Sequence, residues 1–170
     1  MKCRCELIAS GGLPLSAVIG KAEIMDSPGP GGLGGTFAGA PLACAAGLAV
    51  LEVIREEQLL NRAQHIGHFM TSRLKGLQVR FPALGDVRAL GAMVAVELVR
   101  NCSPDQPDAE LTKALVQAAG RRGLVLLSCG VYGNVIRFLA PLTIPDALLK
   151  EGFNLFEQAL DEVTRISAAA

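Results

Sequence analysis

Tryptophan is absent from this 170-residue chain, Tyr132 is its single tyrosine, and aromatic residues make up only 4% of it. Charge of one sign is not in excess either: 16 Lys and Arg balance 16 Asp and Glu, so no net field draws in nucleic acid or an acidic membrane surface. No nucleic-acid partner is expected. Clustered metal-ligand spacing is missing as well. Cys3, Cys5, Cys44, Cys102 and Cys129 are scattered, odd in number and form no CxxC, which reads as free thiols in a reducing compartment. Cys3 and Cys5 could touch a metal, but His65 and His68 lie far along the chain on an apparent helix, so no metal site is expected. No uninterrupted apolar run of about 18 residues occurs, so no membrane span is expected. The apolar stretch 38–53 is small-residue-rich and too short to span. Lys2 and Arg4 precede Glu6 and Gly11-Gly12, which interrupt any signal-peptide core, and the expected compartment is the cytoplasm.

What the chain does have is 51% hydrophobic and 19% charged residues, a composition that suits an Ala/Leu/Val-rich α/β globule and argues against disorder. Its length allows one domain or one and a half. Leu13 to Ile19 reads as a short strand, Lys21 to Met25 as one helical turn, and Asp26 to Gly35 as a long Pro/Gly loop. Pro41 sits where a first helical position would be. Leu42, Ala45, Ala46, Ala49, Val50, Val53 and Ile54 then recur at helical spacing. A second helix runs from Gln58 to Lys75, with Leu59, Ala63, Ile66, Met70 and Leu74 inside and His65 and His68 as solvated or satisfied helix residues. Val87 to Leu98 reads as a strand entered through Gly91. Asp108 caps a helix from Ala109 to about Arg122 that Gly123 ends. Leu124 to Leu127 and Val135 to Leu139 are apolar β-runs. Pro145 and Asp146 open a last helix with Leu149, Phe153, Phe156, Leu160 and Val163 inside, and the tail from Ser167 to Ala170 is expected to fray. Three strands and two helices from about Val87 onward would make a compact α+β unit.

Two features carry chemistry. The run Gly31-Gly32-Leu33-Gly34-Gly35-Thr36-Phe37-Ala38-Gly39 precedes Pro41 and the helix it starts. Glycine lets backbone N–H groups approach an anion, and the following helix turns its positive end toward the same place. The run is either a phosphate cradle or simple turn punctuation. Arg137 sits inside the apolar strand Val135-Ile136-Arg137-Phe138-Leu139. It is either an outward-facing strand residue or a bidentate clamp for a carboxylate.

Four segments, taken in order, carry a resemblance: Gly-Gly-Leu-Pro-Leu-Ser-Ala-Val-Ile-Gly (11–20), Pro-Gly-Gly-Leu-Gly-Gly-Thr-Phe-Ala-Gly (30–39), Val-Arg-Ala-Leu-Gly-Ala-Met-Val-Ala-Val-Glu (87–97) and Gly-Asn-Val-Ile-Arg-Phe-Leu-Ala-Pro-Leu-Thr-Ile-Pro (133–145). Together they closely resemble the C-terminal part of the class III, pyridoxal-phosphate-dependent ω-aminotransferases. The 4-aminobutyrate aminotransferases are the nearest subgroup, with 5-aminovalerate aminotransferases almost as near. The resemblance implies an α/β fold, the C-terminal part of a fold-type I pyridoxal-phosphate transferase with an α+β small domain. Residues 1–40 would be a remnant of the large cofactor domain, 41–85 linking helices and 86–166 the small domain. Thr36 matches the hydroxyl residue that reaches across a dimer interface to the cofactor phosphate of the partner subunit, with Gly34 and Gly35 as the backbone part of that contact. Arg137 matches the arginine that binds a substrate carboxylate. The full enzyme would move an amino group from an ω-amino acid to 2-oxoglutarate, so small amino and oxo acids are the implied partners, together with a second subunit.

The family's lysine, which holds the cofactor as a Schiff base, lies a few residues before the Gly-Gly of Gly11-Gly12. Counted from Pro14 its position falls on Leu7, and a one-residue slip gives Glu6. Neither forms an imine, and Lys2 and Lys21 lie on the wrong sides of that position. No catalytic residue of the family is therefore matched, and the chain alone is expected to have no transaminase activity. The resemblance fades before Ile8, as a reading frame begun or shifted near the lysine would produce. Two further readings stay open: a non-catalytic remnant that dimerises or pairs with a full-length paralogue and offers Thr36 to its cofactor, and a 5-aminovalerate aminotransferase fragment.

Overall fold

Ser10 faces Leu13 across a two-residue turn whose Gly12 has a φ of 102°. Such a turn favours glycine and matches the twist of a tight antiparallel hairpin. It joins β1 (Arg4–Ser10) to β2 (Leu13–Ile19), in register from Arg4 opposite Ile19 inward. The computed structural model describes residues 4–10, 12–32, 34–36 and 38–168, which fall into two compact units, Met1–Gln58 and Leu59–Ala170.

In the first unit the hairpin is followed by α1 (Ala22–Met25), the Pro/Gly loop and α2 (Pro41–Glu56). Pro41 stands at the helix start, where its missing N–H leaves nothing unpaired. α2 packs against both strands of the hairpin. The fully buried residues are Ala43 and Gly47, one turn apart; of the expected stripe Ala46, Val50 and Ile54 are half-buried beside them, while Leu42, Ala45, Ala49 and Val53 are exposed. The reason is size: two small residues let the helix backbone lie close to the hairpin and leave Leu42, Leu48 and Leu51 on the outside. α2 is apolar on all sides, so its periodicity alone does not name the buried face.

The second unit is a four-stranded antiparallel sheet with α3 (Leu59–Gln78), α4 (Ala109–Arg121) and α5 (Asp146–Ala168) supplying its core. The strands are β3 (Leu84–Leu90), β4 (Met93–Leu98), β5 (Leu127–Cys129) and β6 (Val135–Phe138), in spatial order β3-β4-β6-β5. The stretch expected as one strand from Val87 to Leu98 is thus a hairpin, and the unit has four strands instead of three. Gly91, at φ 56°, lets the chain reverse between the paired residues Leu90 and Met93. β5 begins at Leu127 rather than Leu124: its ladder with β6 starts at the Leu127–Arg137 pair, and on β6 only Phe138 remains beyond it, opposite Leu126, so Leu124 and Val125 have no strand partner there.

Inward residues alternate along the sheet, with Val94, Val96 and Leu98 on β4 and Ile136 and Phe138 on β6. They meet Ile66, Met70 and Leu74 of α3, Leu115 of α4, and Phe153 and Phe156 of α5. Phe138 stacks on Phe153 at 5.3 Å and meets Phe156 edge-on at 5.4 Å. Leu149, Phe153, Phe156, Leu160 and Val163, all expected inside α5, are buried. Asp108 caps α4 by accepting a hydrogen bond from the Leu111 N–H at 3.0 Å, and Gly123 follows the helix at φ 82°. α5 continues through Ser167 to Ala168, the first two residues of the tail expected to fray, and residues 169–170 lie outside the described residues. No helix among the described residues is long and apolar enough to cross a membrane.

Candidate functional site

The described parts of the glycine-rich run form an exposed loop in the first unit; Leu33 and Phe37 lie outside the described residues. Gly31 and Gly39 hold φ of 77° and 69°, so the backbone itself calls for glycine there. Gly34 and Gly35 are different. Neither has a positive φ, and a Cβ built on either meets nothing within 4 Å. Among the described residues nothing requires their lack of a side chain, and both are exposed. The Gly35 carbonyl accepts from the Ala38 N–H at 3.0 Å, while no hydrogen bond to another described residue occupies the N–H groups of Gly34, Gly35 or Thr36. Thr36 is exposed. Beyond it α2 begins with no side-chain cap on Ala40, so its first-turn N–H groups stay open. A loop with free donors, open space over two glycines and a hydroxyl fits the phosphate of an anionic cofactor such as pyridoxal phosphate.

On β1, Leu7 lies opposite Ser16 and Glu6 opposite Ala17. The position where the sequence resemblance places a lysine is therefore a strand position of the first unit.

Arg137 belongs to the second unit. The pairing register puts Ala95 on one side of it and Leu127 on the other. Ile136 and Phe138 point into the core, so strand alternation turns Arg137 to the opposite face. It is exposed, which removes the desolvation penalty expected for a buried charge. Among the described residues it has no ion-pair or hydrogen-bond partner for its guanidinium. Arg137 borders a cavity of about 430 Å³ whose apolar walls include Val125, Leu127, Leu139, Ile144 and Leu148. An unpaired planar cation at the edge of an apolar hollow is suited to a carboxylate on a short hydrocarbon chain.

A larger hollow of about 760 Å³ lies beside Arg80, Arg100 and Asp108. Its two arginines are already matched: Arg100 bonds Asp108 at 3.2 Å, and Arg80 pairs with Glu157. That leaves Arg137 as the better binding group.

Two arginines that the sequence reading did not single out flank this region. Arg88, opposite Ala95 on the same sheet row as Arg137, pairs with Asp86 at 2.7 Å and Glu97 at 2.6 Å. Those bonds, Asp86 first, raise its pKa above the ordinary arginine value. Arg62, on α3, donates from Nε to the Leu142 carbonyl at 3.3 Å and from Nη2 to the Ile144 carbonyl at 2.5 Å. It also meets the Asp146 carboxylate at 2.6 Å, which holds that carboxyl below its usual range. His65 lies 3.7 Å from the same carboxylate. No sequence signal links Arg62 to carbonyls some eighty residues away. No group of three or more His, Cys, Asp or Glu suited to a metal occurs among the described residues.

The sequence model of the family described as aminotransferase class-III matches residues 3–160. The match starts upstream of Ile8, where the resemblance was expected to fade, and includes Glu6 and Leu7. The chain is 53% identical over 153 residues to the 5-aminovalerate aminotransferase DavT of Pseudomonas aeruginosa, covering 90% of this chain and 36% of that protein. It is 48% identical over 153 residues to the 4-aminobutyrate aminotransferase GabT of Escherichia coli, with the same coverage of 90% and 36%. Among solved structures, an acetylornithine aminotransferase from Elizabethkingia anophelis superposes with a TM-score of 0.77 at 33% identity, covering 89% of this chain and 36% of that one. A phospholyase from Arthrobacter superposes with a TM-score of 0.82 at 29% identity, again over 89% and 36%. The chain spans about a third of the length of the relatives it matches.

Proposed function

Since this chain belongs to the class III aminotransferases, we propose that it is the C-terminal portion of a 4-aminobutyrate- or 5-aminovalerate-type aminotransferase, which transfers an amino group from an ω-amino acid to 2-oxoglutarate. The observation that carries this reading is Arg137, an unpaired guanidinium beside an apolar hollow. It binds the carboxylate of the amino or oxo acid through its planar fork, and the hollow accepts the carbon chain. Because both donors end in the same carboxylate, this contact serves either one.

Pyridoxal phosphate, when bound in such an enzyme, supplies the electron sink for proton movement at the substrate carbon. In this chain Gly34 and Gly35 offer backbone donors and Thr36 a hydroxyl to its phosphate, within a dimer in which the loop serves the neighbouring subunit. Residues 1–40 then represent the end of the cofactor domain, 41–85 the linking helices and 86–166 the small domain. The chain by itself does not catalyse transamination, because Leu7 or Glu6 stands at the lysine position. The decisive assay uses purified chain with pyridoxal phosphate, 4-aminobutyrate or 5-aminovalerate, and 2-oxoglutarate. Glutamate formation above the blank would overturn the inactive reading.

A second reading, a non-catalytic module that pairs with a full-length paralogue, is favoured by the steric openness of Gly34 and Gly35. Co-purification with such a paralogue, dependent on Thr36, is the expected outcome. A chain that stays strictly monomeric in its presence would count against this reading.

A further inference from the structure

We infer that Arg62 is a positioning residue for the carboxylate site at Arg137, an inference that rests on the reading of Arg137 as the carboxylate clamp. The chain leaves β6 at Phe138 and enters α5 at Asp146. The intervening segment carries Leu139, Pro141 and Ile144, which form one wall of the hollow beside Arg137. Pro141 and Pro145 have no N–H to donate, so this wall has few internal ties; one is the bond from the Ile144 N–H to the Pro141 carbonyl at 3.0 Å.

Arg62 supplies the tie from outside. Its three guanidinium nitrogens reach the Leu142 carbonyl, the Ile144 carbonyl and the Asp146 carboxylate, spanning the segment from its middle to the first turn of α5. Its side chain is only 24% exposed, so its two carbonyl bonds are partly shielded from water, while the Asp146 end stays open to solvent. A fork of fixed geometry holds three acceptors at once, whereas a lysine ammonium at the end of a flexible stem does not. Arg62 thus fixes how far the wall stands from Arg137, and with it the room left for the carbon chain of a bound carboxylate.

The test uses the full chain and glutarate, a five-carbon dicarboxylate, followed by backbone amide shifts well below the melting temperature. Wild type is expected to bind saturably and Arg137→Met to lose binding. Arg62→Met is expected to bind roughly tenfold more weakly, the equivalent of about one charge-assisted hydrogen bond. The amides of residues 142–144 and 146 should exchange faster in that variant while those around Phe156 keep their protection. Arg62→Lys, which keeps the charge and protects against an unfolded variant, should recover only part of the affinity. A purely structural role would lower the melting temperature and leave glutarate affinity unchanged. Binding by Arg62→Met or Arg62→Lys within about twofold of wild type overturns the inference, while the loss in Arg137→Met would leave the clamp standing. Failure of wild type to bind glutarate removes the clamp reading, and the role of Arg62 falls with it.

Discussion

Gly67 and Gly91 are in such close contact that a Cβ on the first would collide with the carbonyl oxygen of the second. α3 therefore lies directly on the β3–β4 turn, backbone against backbone. Alanine at position 67 would gain about 0.5–1 kcal/mol of helix preference, but the collision is with rigid backbone and wins. Gly67→Ala is expected to lose about 1–3 kcal/mol net, as overpacked sites do. Urea denaturation reads this directly, and an unchanged or raised midpoint would show that the turn can retreat.

The aromatic cluster sets the stability of the second unit. Phe156 is fully buried and touches both Phe138 and Phe153. Phe156→Ala should cost about 3–5 kcal/mol through lost burial and the cavity left behind. Far-UV circular dichroism during thermal melting would show a large fall in midpoint or an unfolded chain. A loss under about 1 kcal/mol would mean that the core closes over the gap.

At the start of α4, Asp108 accepts the Leu111 N–H and also pairs with Arg100. Asp108→Ala should cost about 1 kcal/mol, the usual worth of such a cap, while Asp108→Asn keeps most of it. If alanine and asparagine destabilise equally, the ion pair with Arg100 and not the cap carries the effect.

Stability should also depend on the carboxyl of Asp146. Its folded pKa is lowered, chiefly by the hydrogen bond to Arg62. A depressed folded value means that the contribution is present above the ordinary value of 3.8 and fades as the pH falls through the lower folded one. Wild type should therefore exceed Asp146→Asn in stability at neutral pH, with the gap closing in acid below pH 3.8. The group is solvent-facing, so the gap is expected to be small and to shrink with salt. A gap that persists unchanged into strong acid would contradict the ion pair.

Glycines in one loop should respond in opposite ways. Gly34→Ala has space and an ordinary φ, and is expected to be neutral within about 0.5 kcal/mol. Gly39→Ala must hold a Cβ at φ 69° and should cost about 1–2 kcal/mol. Amide exchange within α2 separates the two, and equal responses would show that the loop adapts.

Much of the second unit was legible in the sequence. The cap at Asp108, the stop at Gly123 and the apolar spacing of α5 are local signals, and each specifies its own element. The β3–β4 hairpin was not legible, because the alternation from Val87 to Leu98 reads as one continuous strand and only Gly91 marks the reversal. The buried face of α2 was hidden for a related reason: every side of it is apolar, and the packing chose the smallest residues. Arg137 stood out as a charge in an apolar strand, but its neighbours Ala95 and Leu127 are set by strand register. Arg62 carried no signal at all, since its partners come from a segment about eighty residues later in the chain.

The way α2 packs through Ala43 and Gly47 has a colloidal consequence. With Leu42 at 78% and Leu48 at 65% exposure, the chain presents greasy surface to solvent, and its isoelectric point near 6.7 leaves almost no repulsion between molecules in neutral buffer. Turbidity should accordingly peak near neutrality and clear on either side of it, and a dye that fluoresces in apolar surroundings should light up on the folded chain.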